Sequence, residues 1–356
     1  MFQIKEYLKR LTAAYGVSGY ESGAAEELKN ILSGYCEDVS VDKMGNVVAR
    51  LGCGLKNAKN VMLEAHMDQI GFIISKIEDD GKIRVKPVGG FDSGILPGLR
   101  VKIFGSKRGA EANDPGGASG AVLDGAIMIN ASFKQADKAP GFDDIYIETG
   151  YSKEELGEKL CIGDPAAFAG EAKGLLGDNM SSKAMDNRAG AAAILNTLDM
   201  LSENRGRLRR DLTVVFSTQE EIGLRGATTA AYGAAPDFAI AVDVTHGETP
   251  DSKDETGTFK LGGGAVICRG PNLDYKRSLE LIELAERLGI PYDIEVAGGS
   301  TGTTAWTIQT SGAGIPVALI SIPLRYMHTN VETLNIKDIE NTSKLIYEAV
   351  CGGIEI

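Results

Sequence analysis

The chain has 356 residues, with 49 acidic against 37 basic side chains and a formal net charge of −12. An acidic surplus of that size excludes a nucleic-acid or anionic-membrane partner, since either demands a basic face. A hydrophobic content of 43% and a charged content of 24% are those of a globular protein with a large core, enough for two domains or one domain carrying an insertion.

Phe2, Ile4, Leu8 and Leu11 recur at helical spacing until Gly16, and a second helix is expected from about Ser22 to Leu32. Asp38 to Asp42, a Lys43-Met44-Gly45-Asn46 turn and Val47 to Leu51 read as a hairpin. Val61 to Ala65 is a short apolar strand that ends on His66-Met67-Asp68. From Gly71 to about Gly170 short alternating runs are separated by Gly, Pro and Asp, the pattern of a small all-β unit. One helix is expected inside it, where Ser152-Lys153-Glu154-Glu155 has capping-box form.

Beyond 171, strands at Leu212–Thr218, Phe238–Asp243 and Pro316–Ile322 alternate with helices at Asp186–Ser202, Tyr275–Leu288 and Ile336–Val350. The pattern predicts an α/β domain of residues 1–70 plus 171–356, with a mixed sheet and helices on both faces. A β-barrel-like domain of residues 71–170 interrupts it. The five cysteines are scattered, with no C-x-x-C pair, and read as reduced thiols of a cytoplasmic protein. The N-terminal pattern carries charges and is not expected to be a signal peptide; no run of 18 apolar residues predicts a membrane span.

Ligand-type residues recur where these elements end. Histidine occurs only as His66, His246 and His328. His66 and Asp68 follow one strand, Glu220 and Glu221 another, Asp243 closes a third, His328 comes shortly after a fourth, and Asp186 opens a helix. In an open α/β sheet these carboxyl ends are where ligands gather. Two histidines and three carboxylates, one of them bridging, suit a pair of divalent ions. Such a pair can activate one water for hydrolysis, with a further carboxylate as general base and then general acid. Asp68, two residues from His66, is placed to accept the second imidazole N–H.

The motifs resemble the tetrahedral (TET-type) or glutamyl-aminopeptidase family of dinuclear metallo-aminopeptidases, along nearly the whole chain. They are Ala14–Gly19, Lys43–Asn46, His66–Gly71, Ala184–Gly190, Gln219–Gly226, Asp243–His246 and Ile320–His328. The resemblance implies a zinc-peptidase-like fold in which His66, Asp186 and Asp243 hold one ion. Asp186 would bridge to a second, completed by Glu221 and His328. It further implies Glu220 as general acid/base, Asp68 orienting His66, and a peptide after Asp186 that is often cis. His246 matches the motif without being one of the family's ligands, and a structural or cleft-lining role is expected for it. Zn²⁺ is the expected metal, with Co²⁺ or Mn²⁺ able to take the same donors.

Peptides are the expected substrates, and the β insertion is expected to mediate assembly into a homo-oligomer, a dodecamer built of dimers. The preference for the first side chain is expected to reside in loops around 247–257 and 298–306. Two departures stand out. Relatives often carry T-G-T-D-A where this chain has Thr301-Gly302-Thr303-Thr304-Ala305, and the insertion lacks a G-x-I-G-x-x-P-x-H segment near Gly125–Asn130. Rival readings are a metal-dependent amidohydrolase of small N-acyl substrates, a glycoside hydrolase and a non-catalytic peptide-binding protein. An amidohydrolase of that kind needs a cation to hold a carboxylate, whereas an aminopeptidase needs acidic surroundings for a free amine.

Overall fold

Parallel strands lie side by side with their carboxyl ends at one edge of a large sheet. The computed structural model describes residues 1–36, 38–107, 120–134, 138–252 and 257–356. Helices α1 (Phe2–Ala13) and α2 (Ser22–Leu32) precede the hairpin of β1 (Asp38–Val41) and β2 (Val47–Leu51), and β3 (Asn60–His66) follows. The insertion contributes β4 (Gly71–Ile77), β5 (Ile83–Val88), β6 (Arg100–Phe104), β7 (Val122–Ile129), β8 (Ile145–Glu148), helix α3 (Lys153–Lys159) and β9 (Pro165–Phe168). The chain then returns through β10 (Lys173–Gly174), β11 (Asn179–Ser182), α4 (Met185–Glu203), β12 (Asp211–Ser217), α5 (Arg225–Ala234) and β13 (Phe238–His246). It ends with β14 (Ala265–Arg269), α6 (Tyr275–Leu288), β15 (Tyr292–Val296), α7 (Ala305–Ile308), β16 (Val317–Arg325), β17 (Glu332–Asn335) and α8 (Ile336–Glu348).

The main sheet runs β1-β2-β12-β3-β13-β16-β17-β11-β10, with β14 and β15 branching from β16. Its centre is parallel and its flanks antiparallel, so the sheet is mixed as expected. Ser217 pairs with His66, Ala241 with Glu64 and Asp243 with Ser321. That register brings the ends of β3, β12 and β13 level. Each central strand is apolar on both faces. Leu63, Val214, Ile240 and Ile320 pack with α1, α2, α4, α6 and α8, whereas Met62, Val215, Ala239 and Leu319 pack with α5 and α7. Helices therefore cover both faces, which is why these strands read as continuous apolar runs.

The insertion closes into a six-stranded barrel, β4-β5-β8-β7-β6-β9. Phe72, Phe91, Phe142 and Phe168 meet edge to face inside it, with ring centroids 5.2–5.9 Å apart. Helix α3 starts with the capping box that Ser152 and Glu155 announced. The stretch Gly125–Asn130 falls largely on β7, a barrel strand paired with β6 and β8. Gly71 starts the barrel where a Cβ would sit 2.7 Å from both the Ala166 carbonyl and Val17, so only glycine passes there.

Strands β14, β15 and β17 were not legible as strands. β17 is mostly polar yet buried throughout, because its backbone pairs with β11 and β16, Glu332 and Asn335 make side-chain hydrogen bonds, and Leu334 joins the core. The helix expected from Asp186 begins at Met185, but Asp186 and Asn187 have non-helical dihedrals and the peptide between them is cis.

A buried lysine just ahead of α4 ties the end of α1 to the loop after β3. Lys183 donates from Nζ to the Thr12 carbonyl at 2.6 Å and to Gln69 Oε1 at 3.2 Å, and it lies 4.2 Å from the Tyr15 ring centroid. Burial pulls its pKa down from 10.5 to about 7, with Arg188 adding to the drop and Glu332 opposing it. Between those two values the unfolded chain holds a proton that the folded chain has released, so this residue makes stability rise with pH. Below the folded value both states are charged and the contribution is flat. Urea midpoints of metal-free wild type and Lys183→Met, followed upward from neutral pH, should diverge in favour of the wild type as pH rises; parallel curves would show that Lys183 does not titrate there.

Candidate metal centre

The carboxyl edge of the sheet gathers all seven residues singled out from the sequence. His66 is the last residue of β3, and its Nε2 lies 3.0 Å from Asp186 Oδ1, 3.7 Å from Asp243 Oδ1 and 4.0 Å from Glu220 Oε2. His328, in the turn after β16, places Nε2 3.4 Å from Asp186 Oδ2 and 3.3 Å from Glu221 Oε2. Asp186 therefore presents one oxygen to each histidine. Donors held 2.0–2.2 Å from a tetrahedral ion lie roughly 3.4 Å from one another. The observed separations fit that spacing on both sides of Asp186, so the donor set can hold divalent metal.

Asp68 anchors the arrangement from below. It is fully buried and accepts from Ser18 Oγ at 2.5 Å, from the Glu220 N–H at 2.9 Å and from the Glu221 N–H at 3.2 Å. Its Oδ1 lies 3.5 Å from His66 Nδ1, a loose contact, and that nitrogen has no closer partner. The turn carrying Glu220 and Glu221 is further fixed by Asn46, whose Oδ1 accepts the Thr218 N–H at 2.9 Å. Gly226 closes this turn because a Cβ there would come within 2.3 Å of Asn46 Oδ1.

The electrostatics are those of a cluster awaiting positive charge. Burial raises Asp243 and Glu221 well above the usual carboxylate range, and the neighbouring Asp186 raises them further. Glu220 is pushed up to about 7, first by burial and then by Asp186, Asp68 and Glu64, with His66 pulling the other way. Burial would lower the pKa of His66, but Glu220, Asp186, Asp68 and Asp243 together raise it well above its ordinary value. Asp186 is held low despite its burial, because His328 and His66 both donate to it.

Three supporting residues escaped the sequence reading. Glu332 accepts the His328 N–H at 2.9 Å and the Asp186 N–H at 3.1 Å, so one carboxylate fixes two of the donors. Its position at the head of a polar strand gave no sign of this. Ser18 stands in the Ala14–Gly19 motif, where no sequence pattern marks its bond to Asp68. Glu64, fully buried on β3, accepts from Ser217 Oγ at 2.6 Å and from the Thr304 hydroxyl. The departure at 304 thus has a physical account: the carboxylate comes from Glu64, and the hydroxyl of Thr304 donates to it.

The cavity over the cluster has a volume of about 420 Å³ and is also lined by Thr245, His246, Glu295 and Thr301–Thr303. Among the described residues it has no lysine or arginine in its walls. His246 lines it as expected. Residues 253–256 of the first expected specificity loop lie outside the described residues. A larger hollow of about 600 Å³ lies where Tyr15, Glu21 and Gln219 meet Phe104 and Asp164, but it contains no histidine.

Two histidines and a group of carboxylates, buried or half-buried around the carboxyl ends of parallel strands, fit a hydrolase of the metal-dependent class. The model of the M42 glutamyl aminopeptidase family matches residues 45–345, and the chain belongs to that family of peptide-bond hydrolases acting as aminopeptidases. It is 34% identical to the lysyl aminopeptidase of Pyrococcus furiosus over 96% of this chain and 94% of the relative. Among solved structures, aminopeptidase APDkam598 of the archaeon Desulfurococcus kamchatkensis superposes with a TM-score of 0.88 at 32% identity, covering 99% of this chain and 95% of that one. The Pyrococcus horikoshii TET1 peptidase, described as assembling into a tetrahedron or a large octahedral shell, gives 0.80 at 31% identity, covering 99% and 100%.

The Glu64–Thr304 pair carries its own test. Thr304→Asp sets a second carboxylate against the buried Glu64, and is expected to cost about 1–3 kcal/mol, the penalty of an unsatisfied buried polar group. Adding Glu64→Ser should recover more than half of that loss in urea denaturation. A double variant no more stable than Thr304→Asp alone would show that the two positions are not coupled.

Proposed function

We propose that the chain removes N-terminal residues from peptides with two divalent ions held by the five donors. His66, Asp186 and Asp243 would hold one ion, and Asp186, Glu221 and His328 the other. The observation that carries this reading is the split of Asp186, one carboxylate oxygen toward each histidine. Zn²⁺ is the metal proposed, with Co²⁺ or Mn²⁺ suited to the same donors. When bound, the ions supply Lewis acidity and make a water acidic enough to attack a peptide carbonyl near neutral pH.

The remaining steps belong to side chains. Glu220 lies close enough to His66 and Asp243 to share a donor set with them, and following the family resemblance we assign it instead as general base. Its carboxylate takes the proton of the attacking water and returns it to the nitrogen of the departing amine. Asp68 holds the proton on His66 Nδ1, leaving Nε2 free to act as a donor atom. The same carboxylate holds the Glu220 and Glu221 backbone, so the base and a ligand keep a fixed separation. An amine-binding rather than carboxylate-binding cavity is supported by the absence of lysine and arginine from its walls among the described residues.

The same reading assigns residues 1–70 and 171–356 to catalysis and 71–170 to assembly. The closed barrel contributes none of the donors, and relatives of this architecture form large shells. A dodecamer restricting access to peptides is proposed, in the cytoplasm, where the five free thiols would persist.

Two experiments test these assignments. Glu220→Gln should retain both metals by elemental analysis while turnover falls by roughly 10²–10⁴-fold, the usual share of general acid–base catalysis. Glu221→Gln should instead lose occupancy of one site and regain part of its activity in excess metal. Metal rescue of Glu220→Gln but not of Glu221→Gln would mean that the two roles are exchanged. For assembly, light scattering should give a mass about twelve times that of the chain; a fully active stable monomer would remove the proposal.

A further inference from the structure

We propose that Glu295 makes the enzyme select peptides whose first residue is cationic, lysine or arginine. The inference rests on the aminopeptidase activity, because only then does the first side chain lie beside the metal donors. Glu295 is the one carboxylate among the described walls of the catalytic cavity that belongs neither to the donor sets nor to the proton shuttle. It stands on β15, the strand that branches off the sheet through β14.

Its position is fixed from the metal side. The buried Thr245 donates from Oγ1 to Glu295 Oε1 at 3.0 Å, and Thr245 lies two residues beyond Asp243 on β13. Side chains two apart on a strand share one face and are separated by roughly 6.6 Å. Glu295 is therefore tied to the cavity wall one step outward from a proposed ligand. The carbonyl to be cleaved must lie at the donors, and the side chain on the adjacent α-carbon must extend into the same cavity. The four-carbon stem of lysine spans about that distance.

The second carboxylate oxygen, Oε2, accepts no hydrogen bond among the described residues, which leaves it available to an arriving ammonium or guanidinium. Beyond the Thr245 hydroxyl, the neighbouring His246 favours the Glu295 carboxylate, and no lysine or arginine lines this space among the described residues. Burial raises the pKa of Glu295 while the Thr245 hydroxyl holds it down, so the carboxylate is short of stabilising partners. Leu224 and Met327 add apolar wall against which a methylene stem can lie.

The test compares kcat/KM of the metal-loaded enzyme on Lys-, Arg-, Leu- and Glu-anilides. The expected result is preference for Lys and Arg over Leu by at least about 10-fold, with Glu last. In Glu295→Gln the Lys-to-Leu ratio should fall by roughly 10–100-fold, chiefly through KM, the scale of one specific pocket contact. A wild-type preference for Leu or Glu, or a ratio unchanged in the variant, overturns the proposal. Two wild-type measurements give the answer even if the variant does not fold. L-lysinol should inhibit more strongly than L-leucinol, and its advantage should shrink as salt is raised; equal inhibition overturns the proposal as well. Turnover of Leu-anilide without cationic preference removes Glu295 alone, whereas no turnover of any anilide removes the aminopeptidase reading with it.

Discussion

One buried carboxylate sets the geometry on which everything else depends. Asp68 makes no contact with solvent and faces four groups at once: the imidazole of His66, the hydroxyl of Ser18 and the backbone N–H groups of Glu220 and Glu221. These come from three stretches far apart in sequence. A buried anion of this kind is tolerated only when its acceptor sites are filled, and here the donors filling them are themselves functional elements. The carboxylate thus converts an energetic requirement of burial into a positional constraint. Glu332 repeats the device on the far side of the cluster, clamping the backbones of Asp186 and His328.

The two clamps explain how so many like charges can be kept together. Asp186, Asp243, Glu220 and Glu221 crowd around two imidazoles, and burial drives three of the four toward the protonated form. Left alone, such a group would relax by taking up protons or by moving apart. Hydrogen bonds from the backbone prevent the second response in the Glu220–Glu221 turn, and Glu332 restrains Asp186. The stress is consequently relieved by positive charge, whether protons or metal. Stability in the cluster is given up for readiness to bind, a pattern expected at sites that hold ions.

Much of this was legible in the sequence because the donors sit at the ends of apolar runs. A strand covered on both faces announces itself by composition, and a His or Asp directly after it is conspicuous. His66, Asp243 and the Glu220–Glu221 pair were found in this way. Asp186 and His328 needed more, since one opens a helix through non-helical residues and the other follows its strand by three residues. The positioning residues were hidden for a different reason. Glu332 and Glu64 look like ordinary polar side chains, because their partners are backbone groups or hydroxyls distant in the chain. β15 is only five residues long, and its alternating Tyr292, Ile294 and Val296 stay largely exposed instead of joining a core; it was missed, and Glu295 with it. Periodicity reports burial, so it is silent about residues whose role is to bond.

The proposed donors come from points that run from residue 66 to residue 328, and the strands bearing them interleave in space rather than following sequence order. β16 must lie against β13 before His328 can meet Asp186, yet β16 is among the last elements to be made. During synthesis the nascent chain therefore holds an incomplete cluster for most of its length. A peptidase that assembles its chemistry only as the final strands arrive has no means of cutting while still unfinished, and a prematurely ended chain lacking residue 328 would be short of one proposed donor. Dispersing the site along the chain keeps the hydrolytic activity dormant until the whole molecule is present.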